Sequence, residues 1–240
     1  EHLLLDKQNG GSVINNITRA RENGRAVQDH ITKEVWQCLN DYHHLIRDKN
    51  IYTQVKSGDP VTALDSLIYQ GMLYHGTVDI TMARGEGFNY LNAGKFLERA
   101  ILSADMLNIK LTELGYKLEA PVELPALRYL LYSLSGYELY LKSHRGNLQA
   151  DFVIQQIVYN EQFPHSIAYC LKQLFRYFER LEPESLPENY KQLEFLIGRA
   201  MNNVKYSIIN TSDGEGLKQF LQQTRNELVG IAAAFNQFYF

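Results

Sequence analysis

Basic side chains are grouped in the first long apolar pattern of the sequence. Arg21 and Arg25 are four residues apart, so on a helix they lie on the same side, beside a stripe that contains Ile17 and Gly24. Two guanidinium groups placed in this way can hold a carboxylate or a phosphate through paired hydrogen bonds. The alternative is an ion-pair network that only keeps helices in register. Glu22 is expected to point further out from the stripe.

A second group contains Arg84 and Glu86 and, further along, the adjacent residues Glu98 and Arg99. Neighbouring side chains on a helix do not face each other, so Glu98 and Arg99 each need a partner elsewhere. Glu98 flanks an apolar stripe, where a buried carboxylate requires a cation or several hydrogen-bond donors. We expect Glu98 to pair with Arg21, Arg25 or Arg84. This group would form either the floor of an anion or amino-acid site or a charged network that specifies core packing.

Other catalytic chemistries have no signature in the sequence. There is no G-x-S-x-G nucleophile motif, no Walker A loop and no glycine-rich dinucleotide motif. The paired Glu-x-x-His elements of di-iron bundles are also missing, so we predict no metal and no cofactor. Both cysteines, Cys38 and Cys170, fall on apolar stripes and are expected to be buried, unreactive thiols.

The composition is that of a folded domain rather than a disordered chain. Hydrophobic residues make up 45% of the 240 residues and charged residues 21%, and the net charge of −3 argues against a dominant nucleic-acid surface. No apolar run approaches the roughly 20 residues that cross a membrane. Two cysteines exclude a disulfide scaffold and favour a reducing compartment, which predicts a cytoplasmic protein.

The elements that must position these residues are helices. From Val13 to Leu45 apolar or small residues recur at steps of three and four, which predicts one helix over residues 12–46. Asp59 and Pro60 have the order of an N-cap followed by a first helical residue. The other helices are predicted from Pro60 to about Met82, from about Glu86 to Glu113, from Pro121 or Pro125 through Leu141, over 148–159, over 164–182, over 188–209 after Pro183 and Pro187, and from about 215 to the end.

No segment of useful length alternates with a period of two, so the sequence predicts an all-α bundle of about eight helices. No linker is visible, and residues 1–240 are expected to form a single domain. The order of an apolar run, a polar turn and a Ser before a helix occurs twice, at Leu3–Val13 and at Val153–Ile167. This echo is weak evidence for two degenerate helical repeats.

Two stretches together resemble the Alpha-E family of all-helical domains with a Glu-Arg motif. The first is Ala20-Arg21-Glu22-Asn23-Gly24-Arg25-Ala26-Val27, and the second leads from Arg84-Gly85-Glu86-Gly87-Phe88 to Gly94-Lys95-Phe96-Leu97-Glu98-Arg99-Ala100. The resemblance covers nearly the whole chain. Gly24 and Lys95 depart from the residues that members often carry, Ala and Arg. Members usually begin with an earlier Glu-Arg helix, so the resemblance implies an N-terminally truncated chain.

The resemblance implies a biological context rather than a reaction. Members are typically bacterial and are often encoded beside ATP-grasp ligase-like and transglutaminase-like proteins, which suggests a role in making or attaching a peptide-like product. The first hypothesis is a non-catalytic partner of a peptide ligase, with Arg21, Arg25, Glu98 and Arg99 shaping a binding site. The second is a structural scaffold or homo-oligomer. The third is an enzyme that uses Glu98 or Glu22 as general base beside an arginine-bound carboxylate.

Overall fold

The computed structural model describes residues 1–118, 124–181 and 188–239, and this part of the chain is helical without any strand. The all-α prediction is confirmed. The helices are α1 (His2–Leu5), α2 (Val13–Ala26), α3 (Lys33–Ile46), α4 (Lys49–Ser57), α5 (Pro60–Thr81), α6 (Glu86–Glu113), α7 (Leu124–Ser133), α8 (Tyr137–His144), α9 (Ala150–Tyr159), α10 (Ile167–Glu179), α11 (Glu188–Lys205) and α12 (Gly214–Tyr239).

The prediction of about eight helices is wrong, because the described residues already contain twelve. The helix predicted over 12–46 divides into α2 and α3: Gln28–His30 form a 3₁₀ turn, and the Thr32 hydroxyl caps α3 by accepting a hydrogen bond from the Val35 N–H at 3.3 Å. The helix predicted through Leu141 divides into α7 and α8 at Ser135, whose φ of 55° is left-handed. The short helices α1 and α4 are the other two helices that the prediction lacked.

Several predicted boundaries are confirmed. The Asp59 carboxylate accepts from the Thr62 N–H at 3.4 Å, and Pro60 opens α5. Helix α6 runs from Glu86 to Glu113, as its apolar pattern predicted. Pro121, Pro183 and Pro187 lie outside the described residues.

The chain forms two compact units, Glu1–Phe88 and Asn89–Phe240. In the first unit α3 packs against both α2 and α5. Its core is aliphatic and includes Ile14, Ile17 and Leu67. The predictions of a single domain over 1–240 and of two helical repeats stay predictions.

The second unit has the larger core, to which α6 to α12 all contribute. Helix α11 packs against both α10 and α12. Aromatic side chains, among them Tyr140, Phe163 and Phe178, are fully buried there. Within the ranges that the structure describes, no helix is both long enough and apolar enough to cross a membrane.

Candidate functional site

In the first unit, Arg21 is held by residues of its own unit. Its Nε donates to the Asn40 side-chain oxygen at 2.7 Å, and its Nη1 lies 2.6 Å from the Glu22 carboxylate. The guanidinium also lies over the Trp36 ring, 5.5 Å from the ring centre. Because α3 supplies both Asn40 and Trp36, these contacts fix Arg21 between α2 and α3.

Glu22 bridges the two arginines whose spacing would allow them to hold an external anion. Its carboxylate lies 3.8 Å from Arg25 Nη1 as well as 2.6 Å from Arg21 Nη1. The Arg21 contact joins adjacent residues, which is possible because a long, flexible guanidinium side chain can bend back around the helix. An internal carboxylate therefore faces both cations, an arrangement that favours the alternative of an ion-pair network.

Arg84 and Glu86 lie apart from this network. Arg84 Nη2 donates to the backbone and side-chain oxygens of Asp79, at 2.6 and 3.1 Å, and its guanidinium lies 4.2 Å from the Phe88 ring centre. Glu86 is exposed in the first turn of α6, where a carboxylate interacts favourably with the helix dipole. Arg21 and Arg84 thus bind different carboxylates.

In the second unit, Glu98 and Arg99 are adjacent on α6 and have different environments. Glu98 is exposed, and it makes no ion pair with any described residue of its own unit. The arginines named as its partners belong to the other unit, so that pairing stays a prediction. Arg99 is half-buried, and its Nη1 donates to the Pro164 carbonyl at 3.3 Å.

Arg99 also lies against a group of aromatic rings that α6 and α10 contribute. The Phe96 and Tyr177 rings stack with centroids 5.8 Å apart and planes 11° apart. The Arg99 guanidinium is 5.3 Å from the Phe96 ring centre, and that of Arg180 is 5.5 Å from the Tyr177 ring centre. The Tyr169 ring meets Phe96 edge-on. We call this group, together with Lys95, the aromatic–cation cluster.

Lys95 adds a third cation to the aromatic–cation cluster. Its ammonium lies 4.8 Å from the Phe96 ring centre and donates to the Asn92 side-chain oxygen at 2.5 Å. Three positive side chains therefore surround one pair of stacked rings. The motifs found in the sequence include Phe96 and Lys95, but not Tyr169, Tyr177 or Arg180.

A repeated sequence pattern underlies the cluster. Phe96-Leu97-Glu98-Arg99 and Tyr177-Phe178-Glu179-Arg180 share the order aromatic, apolar, Glu, Arg. In both segments the apolar second residue is buried and the Glu is exposed. Because residues three apart are neighbours on a helix, each arginine reaches back to its own aromatic ring. This spacing was the signal that could have found the site in the sequence.

The turn before α10 presents the carbonyl that Arg99 contacts. The fully buried Ser166 hydroxyl donates to the Asn160 carbonyl at 2.6 Å and accepts from the Tyr169 N–H at 3.0 Å. Between these bonds the turn exposes the Pro164 carbonyl, which accepts from the Cys170 thiol at 3.5 Å as well as from Arg99. The Ser166 cap thus determines where the Arg99 contact lies.

The pKa values of the titratable groups next to Arg99 are shifted in the direction that favours their uncharged forms. Burial, and secondarily the Arg99 charge, lower the pKa of His165. Burial raises the pKa of the Cys170 thiol to about 12, although Arg99 acts in the opposite direction. Burial also raises the pKa of the Cys38 thiol. Both cysteines are buried and free, which confirms the prediction of buried thiols.

The aromatic–cation cluster suits an anion with a planar or apolar part. A guanidinium has five N–H donors in a rigid fork, and the Pro164 carbonyl accepts from Nη1 alone, so Arg99 keeps donors for a carboxylate or phosphate. The stacked rings offer an apolar surface beside that charge. In the described part of the chain, no three His, Cys, Asp or Glu side chains form a group that could hold a metal ion.

These features define an all-helical protein with Glu-Arg dipeptides at a charged aromatic surface. The chain belongs to the Alpha-E family, whose model is described as a predicted alpha-helical domain with a conserved ER motif and matches residues 1–240. The family expected from the sequence motifs is therefore confirmed.

Two curated relatives come from mycobacteria. An uncharacterised protein of Mycobacterium bovis and one of Mycobacterium tuberculosis are each 22% identical to this chain over 175 residues. The match covers 72% of this chain and 20% of each relative, so the chain spans about a fifth of their length. No solved structure is significantly similar to the chain.

Proposed function

We propose that this chain is a non-catalytic binding partner of an ATP-grasp-type peptide ligase, and that its aromatic–cation cluster binds the carboxylate of a peptide substrate or product. The observation that carries the proposal is the environment of Arg99. The residue is half-buried, and its guanidinium lies over the Phe96 ring and donates to the Pro164 carbonyl. The side chain is therefore fixed in place before any ligand arrives, which reduces the entropy lost on binding.

Among the residues that the structure describes, no acid neutralises the charges of the two cluster arginines. Arg21 and Arg84 pair with Glu22 and Asp79, whereas Arg99 forms no ion pair with a described carboxylate. The same holds for Arg180 among the described residues. A carboxylate ligand would supply the missing counter-charge, and a guanidinium can bind it through two parallel hydrogen bonds.

The family context supports the choice of ligand. A peptide ligase consumes one carboxylate at each step and leaves another at the end of its product, so we expect its accessory protein to recognise that group. The Alpha-E resemblance implies ATP-grasp ligase-like and transglutaminase-like proteins as neighbours. The same context favours a peptide carboxylate over a phosphate.

A structural scaffold is the second candidate function. It is favoured by the Glu22 bridge between Arg21 and Arg25, which uses the first charged group internally. The hypothesis of an enzyme with Glu22 or Glu98 as general base stays a prediction.

A ligation assay read by mass spectrometry tests the proposal. The full chain is incubated with ATP, Mg²⁺, amino acids and short peptides, with and without an ATP-grasp-type ligase from the same organism. We expect product only with the ligase, and more of it when this chain is added. Arg99→Gln should abolish the increase, and Arg25→Gln, at an exposed arginine of the first unit, should leave it intact.

The other outcomes separate the candidates. Product from this chain alone would establish an enzyme and overturn the proposal. An increase that survives Arg99→Gln would show that the cluster is not the binding site. A chain without any effect on the ligase would favour the scaffold.

A further inference from the structure

The outward side of α5 is apolar along most of its length. Its inward side buries Ala63, Leu67 and Val78 in the first unit. The opposite half of the helix carries seven large apolar side chains that are 38% to 84% exposed: Val61, Leu64, Ile68, Tyr69, Met72, Leu73 and Ile80. A helix that is apolar on both sides is typical of an element buried on both sides.

The exposed apolar area is large enough for a stable interface. A fully exposed side chain of this size presents roughly 150–200 Å², so the seven together expose on the order of 700 Å². The largest apolar patch of an ordinary monomer is about 300–600 Å². Each partner in a standard protein interface contributes about 800 Å².

Six of these seven residues form pairs that are symmetric about the point between Gln70 and Gly71, whereas the seventh, Leu64, has Thr77 as its counterpart. Val61 and Ile80 are equally far from that point on either side, and so are the other two pairs. Those pairs are Ile68 with Leu73, and Tyr69 with Met72. Such a helix matches a second copy of itself running in the opposite direction.

We propose that this face of α5 is the interface of a two-fold symmetric homodimer, in which α5 packs antiparallel against α5 of a second copy. In a two-fold interface, residue i of one copy contacts residue j of the other and the reverse contact also forms. The register about Gln70 and Gly71 places Val61 against Ile80 and Tyr69 against Met72, so that apolar side chains meet apolar side chains.

In the same register no acidic residue of this face lies directly opposite another. Asp65 lies opposite Gly76, and Asp79 lies opposite Thr62. Two carboxylates directly opposite each other would oppose pairing, and this register places none in that position. Gly76 has no side chain, and nothing lies within 4 Å of where its Cβ would be, which leaves room for the opposite residue.

Sedimentation equilibrium of the full chain at 1–100 µM tests the dimer. We expect the unaltered chain to be dimeric and Met72→Asp to raise the dimer dissociation constant at least 100-fold, because it places two carboxylates near the two-fold axis. Ile208→Asp is the matched control, since Ile208 is 96% exposed in the second unit. It should leave the constant unchanged, and circular dichroism melts should show both variants folded. A monomer at 100 µM, or a dimer unaffected by Met72→Asp, overturns the proposal.

Cysteine cross-linking tests the direction of pairing. Val61→Cys protein mixed with Ile80→Cys protein should form an oxidised heterodimer, because a disulfide requires Cα atoms within about 7 Å. Each variant alone should not cross-link, since antiparallel helices place its two copies roughly 28 Å apart at 1.5 Å per residue. A Val61→Cys homodimer would indicate parallel helices and overturn the proposal. A mixture that stays uncross-linked would overturn the register.

Discussion

The guanidinium of Arg99 and the ring of Tyr177 lie on two different helices and are joined through Phe96. Arg99 lies 5.3 Å from the Phe96 ring centre, and Phe96 stacks on Tyr177 with centroids 5.8 Å apart. The guanidinium of Arg180 in turn lies over the Tyr177 ring. The two Glu-Arg dipeptides, 81 residues apart in sequence, thus meet at one pair of rings. Both arginines therefore belong to a single positively charged surface.

Arg99 is predicted to distinguish a free carboxylate from an amide. A labelled tetra-alanine peptide with a free C-terminus should bind the full chain at least 10-fold more tightly than its amidated form, because a charge-assisted pair contributes about 1.5–3 kcal/mol. Raising the salt from 50 to 500 mM should reduce the difference. Fluorescence anisotropy measures both. Arg99→Gln should remove the difference, and Glu98→Gln, at the exposed neighbour, should keep it; a difference that persists in Arg99→Gln contradicts the assignment.

The pKa of His165 is predicted to report on the charge of Arg99. Burial lowers this pKa first and Arg99 second, so Arg99→Gln should raise it part of the way toward 6.5. The chemical shift of the His165 ring proton, followed by NMR from pH 4 to 8, gives the value directly. Arg25→Gln serves as the control, and an unchanged pKa in Arg99→Gln would place the guanidinium away from His165.

The lowered pKa of His165 also predicts how stability depends on pH. The folded His165 binds its proton less readily than the unfolded one, so the unfolded state takes up more protons as the pH falls. The contribution is fully present above about pH 6.5 and is lost as the pH falls below that value toward the folded pKa. Urea unfolding at pH 7.5 and 5.5 measures it. In His165→Gln the decrease between these pH values should be smaller, and an equal decrease would contradict the linkage.

The Cys170 thiol is predicted to be unreactive in the folded chain. A pKa of about 12 leaves almost no thiolate at pH 8, and the side chain is fully buried. Ellman's reagent should therefore react at least 100-fold more slowly with the native chain than with the chain in guanidinium chloride. Cys38→Ser and Cys170→Ser assign the signal to each thiol. Fast reaction of native Cys38→Ser would show that Cys170 is accessible.

Two glycines are predicted to respond in opposite directions to the same substitution. A Cβ at Gly136 would lie 2.6 Å from the buried Phe163 ring, so Gly136→Ala should lower the free energy of unfolding by about 1–3 kcal/mol. A Cβ at Gly198, inside α11, would meet nothing within 4 Å. Gly198→Ala should raise that free energy by about 0.5–1 kcal/mol through helix propensity. Urea unfolding compares the pair, and a stabilising Gly136→Ala would contradict the packing.

Helix α6 could be predicted from the sequence, whereas the break between α2 and α3 could not be found from periodicity alone. The pattern of Phe96, Leu97 and Ala100 ends at Gly115, whose φ of 60° suits a residue without a Cβ. Across Gln28–His30, however, the apolar steps of three and four continue in the sequence, although the extended backbone of Ile31 and Thr32 ends the helical path and α3 packs back against α2. The capping residue Thr32 was the local signal.

The local sequence predicts the positions of the charged residues in the first unit better than it predicts the aromatic–cation cluster. The spacing of Arg21 and Arg25 places them on one side of a helix. It does not predict the bend of the side chain that brings Arg21 back to Glu22. The contact between Phe96 and Tyr177 joins α6 to α10, and no local pattern specifies which helices pack together. The shared order aromatic, apolar, Glu, Arg was visible, but only the fold shows that the two copies meet.

The two hydrogen bonds of the Ser166 hydroxyl restrict which residues can replace it. It gives its one proton to Asn160 and uses an oxygen lone pair for the Tyr169 N–H, with no exposure to solvent. An alanine can do neither, and an ionised aspartate has no proton to give. Among small side chains only serine and threonine carry a hydroxyl that can do both. Because Ser166 fixes the turn whose Pro164 carbonyl accepts from Arg99, a variant at position 166 is expected to change how Arg99 is held without replacing Arg99 itself.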